Sequence, residues 1–343
     1  MKNKLEHVIR GGHLTEAQAA EAMNAIMDGD ATGAQIGALL ASLRMKGETI
    51  EEITGFARVM RERAVSVPTT RTPLLDTCGT GGDTVKTFNV STAAAFVAAA
   101  AGAFVAKHGN RSVTSRCGSA DVLEALGVRL DLTPDAVGRC VDTVGIGFLF
   151  ARSHHPAMKH AAGARSEMGI RTVFNALGPL TNPAGATRQV VGVYDAALCP
   201  VLARVLLNLG AQHVLVVHGQ VGLDEIATFG VTTIAEGKNG AVETYEITPA
   251  TLGLPESQPA DVAPADDAAG NAQLLLGVLS GADTGPRRAI VQANAGAALY
   301  VTGLAPSLKA GAAQAGAILE SGAARAKVDE LRALTARFAE ENA

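Results

Sequence analysis

The stretch Leu74-Leu75-Asp76-Thr77-Cys78-Gly79-Thr80-Gly81-Gly82-Asp83 decides the fold, because it joins a short apolar strand to a glycine-rich loop. An Ala-rich helix is predicted over residues 91–102, and a second strand over residues 103–107. Strands that alternate with helices indicate an α/β fold, in which helices cover both faces of a largely parallel sheet.

The same alternation continues toward the C-terminus. Further strands are predicted at residues 147–150, 190–194 and 213–218, and further helices at residues 119–126, 134–144 and 199–209. The segment 255–270 is rich in Pro, Ala and Asp and is predicted to be an exposed connection. Residues 271–343 are predicted to form several Ala-rich helices.

The first 67 residues are predicted to form helices and no strands. Three threonines are each followed three residues later by Gln or Glu, a spacing that lets the two side chains cap the start of a helix. A proline-bracketed linker over residues 68–73 then separates this small helical domain, residues 1–67, from a large α/β domain, residues 74–343. The capping pairs are Thr15 with Gln18, Thr32 with Gln35, and Thr49 with Glu52.

Composition excludes several classes of protein. The net charge of −4 argues against a general nucleic-acid binder, which would carry a basic surplus. The N-terminus lacks an apolar signal core, and the longest apolar run, residues 93–101, is shorter than the roughly 20 residues of a membrane span. The four irregularly spaced cysteines are typical of reduced thiols. We therefore expect a cytoplasmic protein without membrane or nucleic-acid partners.

The glycine-rich loop and the helix start that follows it predict an anion site. Glycines without Cβ let backbone N–H groups approach a phosphate, and the segment Asn89-Val90-Ser91-Thr92 places a helix N-terminus beside them. The alternatives are a purely structural turn and ordinary N-capping by Ser91 or Asn89. The spacing is neither that of a Walker A loop nor that of a Rossmann fingerprint.

A second polar loop follows the next strand. It contains two fixed cations, Lys107 and Arg111, together with His108, glycines and hydroxyls, and it ends near Gly118-Ser119-Ala120-Asp121. Cations and hydroxyls in such a loop suit a diphosphate or a sugar phosphate. The alternative is a solvated polar loop. Two such loops after neighbouring strands would face each other, which favours a phosphate site.

Three further groups are candidates for chemistry. Asp224-Glu225 suits Mg²⁺, which binds through a few carboxylates plus substrate oxygens and water, although surface pairs of this kind are common. Arg165 could grip an organic carboxylate, or form a surface salt bridge with Glu167. The pair His154-His155 could be catalytic or ligating, but without a Cys or carboxylate partner nearby a structural role is favoured.

The order and spacing of these motifs closely resemble the anthranilate phosphoribosyltransferase family of tryptophan biosynthesis, over nearly the whole chain. The resemblance rests on the glycine loop 79–83, the segment 89–92, the loop starting at Lys107, residues 118–121 and the Asp224-Glu225 pair. The segment from Arg165 to Pro183 also looks like that family.

The resemblance implies a small helical domain, joined by part of residues 160–185, and a large α/β domain similar to that of nucleoside phosphorylases and phosphoribosyltransferases. It also implies a homodimer formed by the helical domain, two Mg²⁺ per subunit, and transfer of the phosphoribosyl group of phosphoribosyl diphosphate to the amine of anthranilate.

The resemblance also implies a role for individual residues. Anthranilate would contact Gly79, Asn110 and Arg165, and Mg²⁺ would contact Ser91, Asp224 and Glu225. No acid–base residue is implied, since Lys107, Asn110 and Arg165 would act by positioning. The phosphoribosyl diphosphate site would comprise Gly79, Gly82, Asp83, Thr87, Asn89, Val90, Ser91, Thr92, Lys107, His108, Gly109, Asn110, Arg111, Ser112, Val113, Thr114, Ser115 and Ser119.

Two positions depart from the family pattern. Thr114 and Cys117 stand where serines are expected, and a cysteine cannot donate a hydrogen bond as a hydroxyl does. Two alternative functions remain at this point. One is a nucleoside phosphorylase of similar fold, whose signature loops are not found here, and the other is a non-catalytic relative that binds nucleic acid.

Overall fold

The computed structural model describes residues 1–111 and 117–341. At the N-terminus, helices α1 (Lys2–Ile9), α2 (Glu16–Met27), α3 (Gly33–Lys46) and α4 (Ile50–Glu62) form a bundle. All three predicted capping boxes are present at the starts of α2, α3 and α4. Capping depends on side chains three residues apart, so these helix starts were predictable from the sequence alone.

Strands and helices then alternate as predicted. The remaining helices are α5 (Val90–Ala100), α6 (Ser119–Ala125), α7 (Pro134–Val144), α8 (Ala151–His154), α9 (Lys159–Met168), α10 (Phe174–Leu177), α11 (Leu198–Asn208), α12 (Ala268–Leu279), α13 (Pro286–Thr302), α14 (Leu308–Ser321) and α15 (Ala323–Glu341). The strands are β1 (Leu74–Gly79), β2 (Phe104–Gly109), β3 (Ile146–Phe150), β4 (Arg188–Gly192), β5 (His213–Gly219), β6 (Thr232–Lys238) and β7 (Ala241–Ile247).

Within the described residues the strands form one seven-stranded sheet in the order β3-β2-β1-β4-β5-β6-β7. The pairs from β3 through β5 are parallel, and the last two pairs are antiparallel. The mainly parallel sheet is therefore confirmed. Its parallel strands place the ends of β1, β2, β3 and β5 at one edge, where loops meet.

We did not predict the β6–β7 hairpin. Its turn is Asn239-Gly240, and both residues have positive φ, at 52° and 77°. This dipeptide between two strands is a strong hairpin signal, because both turn positions need the left-handed conformation. The sequence thus contained the signal for the antiparallel edge of the sheet.

The expectation of an exposed connection at residues 255–270 is wrong in part. Val262 is fully buried, and its carbonyl accepts a hydrogen bond from Phe88 N at 3.3 Å. Ser257 is also buried and hydrogen-bonds Thr228 through its hydroxyl, at 2.8 Å. Composition suggested a solvated loop, but long-range hydrogen bonds hold these two residues against the core.

Small side chains allow the helices to pack closely on the sheet. Helix α5 is almost entirely buried and packs against α13, α15 and strands β1 and β2. Helices α13 and α14 approach so closely that a Cβ on Gly311 would overlap the backbone of Gly296. A chain with 3% aromatic residues fills most of its core with small and aliphatic side chains, which permit such close backbone contacts.

The opposite face of the sheet carries α11 and the N-terminal bundle. Val191, Val214 and Val216 share a buried cluster with the apolar residues of α1–α4, and Ala161 of α9 and Phe174 of α10 belong to the same cluster. No helix within residues 1–111 and 117–341 combines the length and the apolar composition that crossing a bilayer requires.

Glu52 organises the bundle, so Glu52→Ala should strongly destabilise the protein. Glu52 is fully buried and accepts hydrogen bonds from Leu14 N (2.8 Å), Thr49 N (2.8 Å) and Lys46 Nζ (2.7 Å). Its loss would leave the Leu14 and Thr49 N–H groups without their acceptor and Lys46 without its carboxylate partner, at a cost of about 3–5 kcal/mol. Urea unfolding of the variant, with exposed Glu51→Ala as the control, measures the effect; equal stability of the two variants would contradict it.

Candidate functional site

A cleft of about 760 Å³ opens at the edge of the sheet where the parallel strands end. Its floor is built by the loops after β1, β2 and β5 and the start of α5, and its wall by residues of α9 and α10. All described residues with a predicted role line this cleft, whereas Ser112, Val113, Thr114 and Ser115 lie outside the described residues. The lining residues are Gly79, Gly82, Asp83, Thr87, Asn89, Val90, Ser91, Thr92, Lys107, His108, Gly109, Asn110, Arg111, Ser119, Arg165, Asp224 and Glu225.

The glycine loop is held against Asp224. Gly81 N donates to Asp224 Oδ2 at 2.9 Å, and a Cβ added to Gly79 would lie 2.6 Å from the same oxygen. Gly81 and Gly82 have positive φ values of 64° and 80°, which side chains other than glycine rarely adopt. The loop therefore needs glycine both for its conformation and for the close approach of the carboxylate.

The start of α5 presents polar groups that the described protein does not satisfy. Neither Asn89 nor Ser91 caps this helix with its own side chain, so the capping alternative is wrong, and Ser91 N instead donates to Glu225 Oε1 at 3.1 Å. Asn89 donates to Cys117 O at 3.3 Å, but its buried Oδ1 atom and the buried Thr92 Oγ1 atom have no hydrogen-bond partner among the described residues. Buried polar atoms without partners are costly, which indicates that a polar ligand completes this helix start.

Lys107 lies beneath the same helix start. It is 2% exposed, and its ammonium group donates to Thr77 O at 2.5 Å and to Ser91 Oγ at 3.3 Å. Burial lowers the pKa of Lys107, and the nearby Asp76 carboxylate opposes that shift. This buried lysine places a hydrogen-bond donor at the floor of the cleft.

Asp76 orients the end of β2, a role that we did not predict. Its fully buried carboxylate accepts from His108 N at 3.1 Å and from Asn182 Nδ2 at 2.8 Å. Burial raises the pKa of Asp76. Its position inside a strand gave no sign of this role, because Asn182 is distant in sequence.

Two histidines lie side by side in the cleft. The rings of His108 and His155 are 5.2 Å apart, and the Nε2 atom of each is buried without a partner among the described residues. Burial and the neighbouring His155 ring lower the pKa of His108 to about 3, and burial lowers that of His155 to about 4. Both imidazoles are therefore neutral at physiological pH, and His155 lines the cleft although its sequence context favoured a structural role.

Arg111 forms ion pairs with carboxylates of α6, the helix that follows its loop. Its partners are Asp121, at 3.0 Å, and Glu124. Asn110 precedes it, and the Asn110 carbonyl accepts from Ser119 Oγ at 3.3 Å. Burial raises the pKa of the Cys117 thiol to about 11, so this residue carries no thiolate charge at neutral pH.

Asp224 and Glu225 place two adjacent carboxyl groups at the cleft. Glu225 Oε1 accepts from Ser91 N at 3.1 Å. Burial, together with repulsion from Asp83, raises the pKa of Asp224 to about 6, and burial and Asp224 raise that of Glu225 well above its usual value. Within residues 1–111 and 117–341 no three His, Cys, Asp or Glu side chains form a complete metal cluster. The pair offers hard oxygen donors of the kind that Mg²⁺ uses together with substrate oxygens and water.

Arg165 stands in the wall of the cleft without a carboxylate partner in the described part of the chain, so the alternative of a salt bridge with Glu167 is wrong. Its guanidinium lies 4.9 Å from the centre of the Phe174 ring. Burial lowers the pKa of Arg165. A half-buried guanidinium that rests on an aromatic ring is ready to bind an anion.

Arg171 is a cleft residue that we did not predict. It donates to Gly82 O, and its guanidinium lies 4.6 Å from the centre of the Tyr194 ring. It thus connects the glycine loop to the wall of the cleft. No local sequence signal identifies it, since both contacts are distant along the chain.

Comparison with known proteins relates the whole chain to one group of enzymes. Residues 71–325 match the family described as "Glycosyl transferase family, a/b domain", and residues 2–64 match "Glycosyl transferase family, helical bundle domain". An anthranilate phosphoribosyltransferase of Anaeromyxobacter dehalogenans (strain 2CP-C) is 56% identical over 335 residues, which cover 98% of each chain.

Solved structures relate the chain to the same group of enzymes. The crystal structure of the anthranilate phosphoribosyltransferase of Thermus thermophilus superposes with a TM-score of 0.92 at 44% identity, covering 96% of this chain and 98% of that one. The enzyme of Saccharomyces cerevisiae, in complex with PRPP and Mg, superposes with a TM-score of 0.87 at 26% identity, covering 98% and 99%.

Removing charge from the carboxylate pair should stabilise the ligand-free protein. In Asp224→Asn the amide oxygen can still accept from Gly81 N, while the penalty for burying the carboxylate near Asp83 disappears. Because folding raises the pKa of Asp224 from 3.8 to about 6, that penalty is complete above pH 6 and vanishes below pH 4. At pH 7.5 we expect a gain on the order of 1–3 kcal/mol.

Thermal unfolding at pH 7.5 and at lower pH measures this gain, with exposed Asp30→Asn as the control. The gain should shrink as the pH falls through 6. A variant that is no more stable than the parent at pH 7.5 would contradict the account.

Proposed function

This chain belongs to the anthranilate phosphoribosyltransferase family, and we propose that the cleft at the edge of its sheet is where the family's reaction takes place. The enzyme transfers the phosphoribosyl group of 5-phosphoribosyl 1-diphosphate to the amine of anthranilate. The products are N-(5-phosphoribosyl)anthranilate and diphosphate, in the second step of tryptophan biosynthesis from chorismate. The observation that carries the proposal is the start of α5, where two buried polar atoms lack partners among the described residues and Ser91 N bonds the Glu225 carboxylate directly.

Phosphoribosyl diphosphate would occupy the floor of the cleft. The buried Thr92 hydroxyl, which lacks a protein partner among the described residues, can donate to a phosphate at a helix start whose N–H groups and dipole favour an anion. The unpartnered Asn89 Oδ1 atom is an acceptor and would instead receive a hydrogen bond from a ribose hydroxyl. Lys107 adds a hydrogen-bond donor beneath this helix start. Val90 is fully buried, so it can contribute only its backbone. The loops from Gly79 to Thr87 and from Lys107 to Arg111, with Ser119, would enclose the rest of the substrate.

Ser91, Asp224 and Glu225 would hold Mg²⁺, and we propose two ions per subunit. The donor set fits, since it offers hard oxygens and clustered negative charge that Lys86 and Lys107 offset only in part. When bound, the metal neutralises the diphosphate and makes it a better leaving group. The protein's own part is to keep the carboxylates fixed through Gly81 N and Ser91 N.

Anthranilate would bind between Arg165, Asn110 and the backbone of Gly79. The Arg165 guanidinium has no protein carboxylate partner among the described residues, and the carboxylate of anthranilate would supply one. The neutral rings of His108 and His155 lie in the same cleft and place no positive charge beside the substrate.

The reaction then needs positioning more than proton transfer. As the bond from the ribose carbon to diphosphate breaks, positive charge develops at that carbon and the aromatic amine attacks it. Lys107 would stabilise the leaving group, while Arg165 and Asn110 would direct the amine. The amine, once bonded to the ribose carbon, gives up one proton to the departing diphosphate or to water, so no protein side chain has to act as an acid or a base.

We further propose a cytoplasmic homodimer formed by the helical domain. This domain would comprise residues 1–67 with part of residues 160–185, and the catalytic domain residues 74–343. Ile9, Met45 and Ile170 are 61%, 89% and 52% exposed in this region, and the dimer contact would cover such apolar side chains. No disulfide joins the cysteines in the described part of the chain, in keeping with a reducing compartment.

The decisive experiment follows the loss of anthranilate fluorescence in the presence of phosphoribosyl diphosphate and Mg²⁺. The protein should consume anthranilate, and replacing Asp224 and Glu225 together with Ala should lower kcat/KM at limiting Mg²⁺ by at least about 100-fold. The matched control replaces Asp329 and Glu330, an adjacent solvent-facing pair on α15, and should retain activity.

Unchanged turnover of the Asp224/Glu225 variant at limiting Mg²⁺ would refute their role. Absence of turnover in the parent protein would overturn the proposed function. Phosphorolysis of a nucleoside, or retention of nucleic acid on a gel, would then favour one of the two alternatives.

Arg165→Gln should weaken anthranilate binding selectively. Loss of a charge-assisted contact of roughly 1.5–3 kcal/mol predicts a KM for anthranilate that is roughly 10- to 100-fold higher, with little change in the KM for phosphoribosyl diphosphate. Steady-state kinetics with both substrates varied measures the two constants, and Arg58→Gln, on the surface of α4, is the control. An equal rise in both KM values would contradict a specific role in holding the acceptor.

A further inference from the structure

The side chain of Asn294 pairs with the backbone immediately after the carboxylate pair. Asn294 lies in α13 and is 2% exposed. Its Oδ1 atom accepts from Ile226 N at 2.9 Å, and its Nδ2 atom donates to Ile226 O at 3.0 Å. One amide therefore satisfies both backbone groups of the residue that follows Glu225.

The orientation of this amide is fixed. The second Nδ2 hydrogen is donated to Ile290 O at 2.9 Å, one turn earlier in α13. If the amide were flipped, its NH₂ group would face the Ile226 N–H donor, and its oxygen would face the carbonyl oxygens of Ile226 and Ile290. None of the three hydrogen bonds could then form. Ile226 itself is fully buried, so water cannot easily replace these bonds.

We propose that Asn294 is a positioning residue that sets the Asp224-Glu225 pair for metal binding. This inference rests on the proposed function of that pair. The carboxylates are already held at their outer ends, since Asp224 Oδ2 accepts from Gly81 N and Glu225 Oε1 accepts from Ser91 N. Asn294 fixes the backbone end of the same segment, and Thr232 Oγ1, which accepts from Ala227 N at 3.0 Å, supports the next residue.

Electrostatics explains why the pair needs such a support. Asp224 and Glu225 are adjacent in the chain, and the backbone amides of Gly81 and Ser91 hold both carboxylates at the same cleft, where like charges repel each other. Without a fixed backbone, the 224–226 segment can relieve this repulsion by moving the carboxylates apart. A metal ion would then have to bring them together again, which weakens its binding.

The chain offers a matched control in Asn271. This residue of α12 is fully buried, its Oδ1 atom accepts from Ala265 N at 3.2 Å, and its Nδ2 atom donates to Ala265 O at 3.2 Å. It also donates to Asp267 O, one turn earlier in its own helix. Asn271 thus makes the same set of bonds to a loop residue that does not adjoin the carboxylate pair.

The test compares Asn294→Ala and Asn271→Ala in the full-length protein. Calorimetry with Mn²⁺, in the presence of phosphoribosyl diphosphate, measures metal affinity without turnover, and steady-state kinetics measures the half-saturating Mg²⁺ concentration and kcat. For Asn294→Ala we expect Mn²⁺ affinity and half-saturating Mg²⁺ to worsen by about 10- to 100-fold. At saturating Mg²⁺, kcat should fall by a smaller factor than the factor by which the half-saturating Mg²⁺ concentration rises. Asn271→Ala should leave the metal constants unchanged, although it too should lower thermal stability.

The outcomes are distinct. If Asn294→Ala binds Mn²⁺ as the parent does, or if both variants weaken metal binding equally, the positioning role is refuted. If the parent itself binds no Mn²⁺, or binds it equally after replacement of Asp224 and Glu225, the proposed function of the pair fails instead. Should Asn294→Ala not fold, Asn294→Ser provides the same comparison, because its hydroxyl can bond Ile290 O but does not reproduce the paired bonds to Ile226.

Discussion

Two hydrogen bonds to carboxylates hold the site together. Gly81 N donates to Asp224, at 2.9 Å, and Ser91 N donates to Glu225, at 3.1 Å. They join the glycine loop and the start of α5 to a segment more than 130 residues later in the sequence. The same bonds bring like charges close to one another in the cleft, so the arrangement costs free energy until a cation and a diphosphate complete it.

The fold makes these contacts possible through close backbone approach. Gly79 and Gly192 are neighbours in the β1–β4 pair, and both face Asp224. A Cβ on Gly192 would overlap the Asp224 backbone, so glycine is required in β4 as well as in the loop. Behind this edge, α5 and α13 pack on the sheet with small side chains, and α13 carries Asn294 to the segment that it supports. The geometry of the cleft thus depends on packing well behind it.

Local features were predictable from the sequence because their partners are three or four residues away. The capping pairs at Thr15, Thr32 and Thr49 are of this kind, and so is the position of the glycine loop directly after a strand. The hairpin at Asn239-Gly240 was equally local, and we missed it although its signal was present. The helical domain, the mainly parallel sheet and the family itself follow from such motifs in their order along the chain.

The rest depends on contacts between distant residues. Asp76 is held by Asn182, Arg171 meets Gly82, and Asn294 meets Ile226, and nothing near these residues in the sequence reveals their partners. The unpartnered Asn89 Oδ1 atom, which separates a ligand site from a simple helix cap, becomes visible only when the surrounding atoms are placed. The sequence therefore predicts residues that line the cleft, whereas the structure shows the distant contacts that hold them in place.

The most direct test of the account is the location of the metal in a crystal of the complex. Crystals grown with phosphoribosyl diphosphate and Mn²⁺ would reveal the ion through its anomalous scattering. We predict a peak within coordination distance of the Asp224 and Glu225 carboxylates, with the diphosphate against the start of α5. A fully bound substrate with no anomalous peak at this pair, or with its diphosphate away from residues 89–92, would contradict the account.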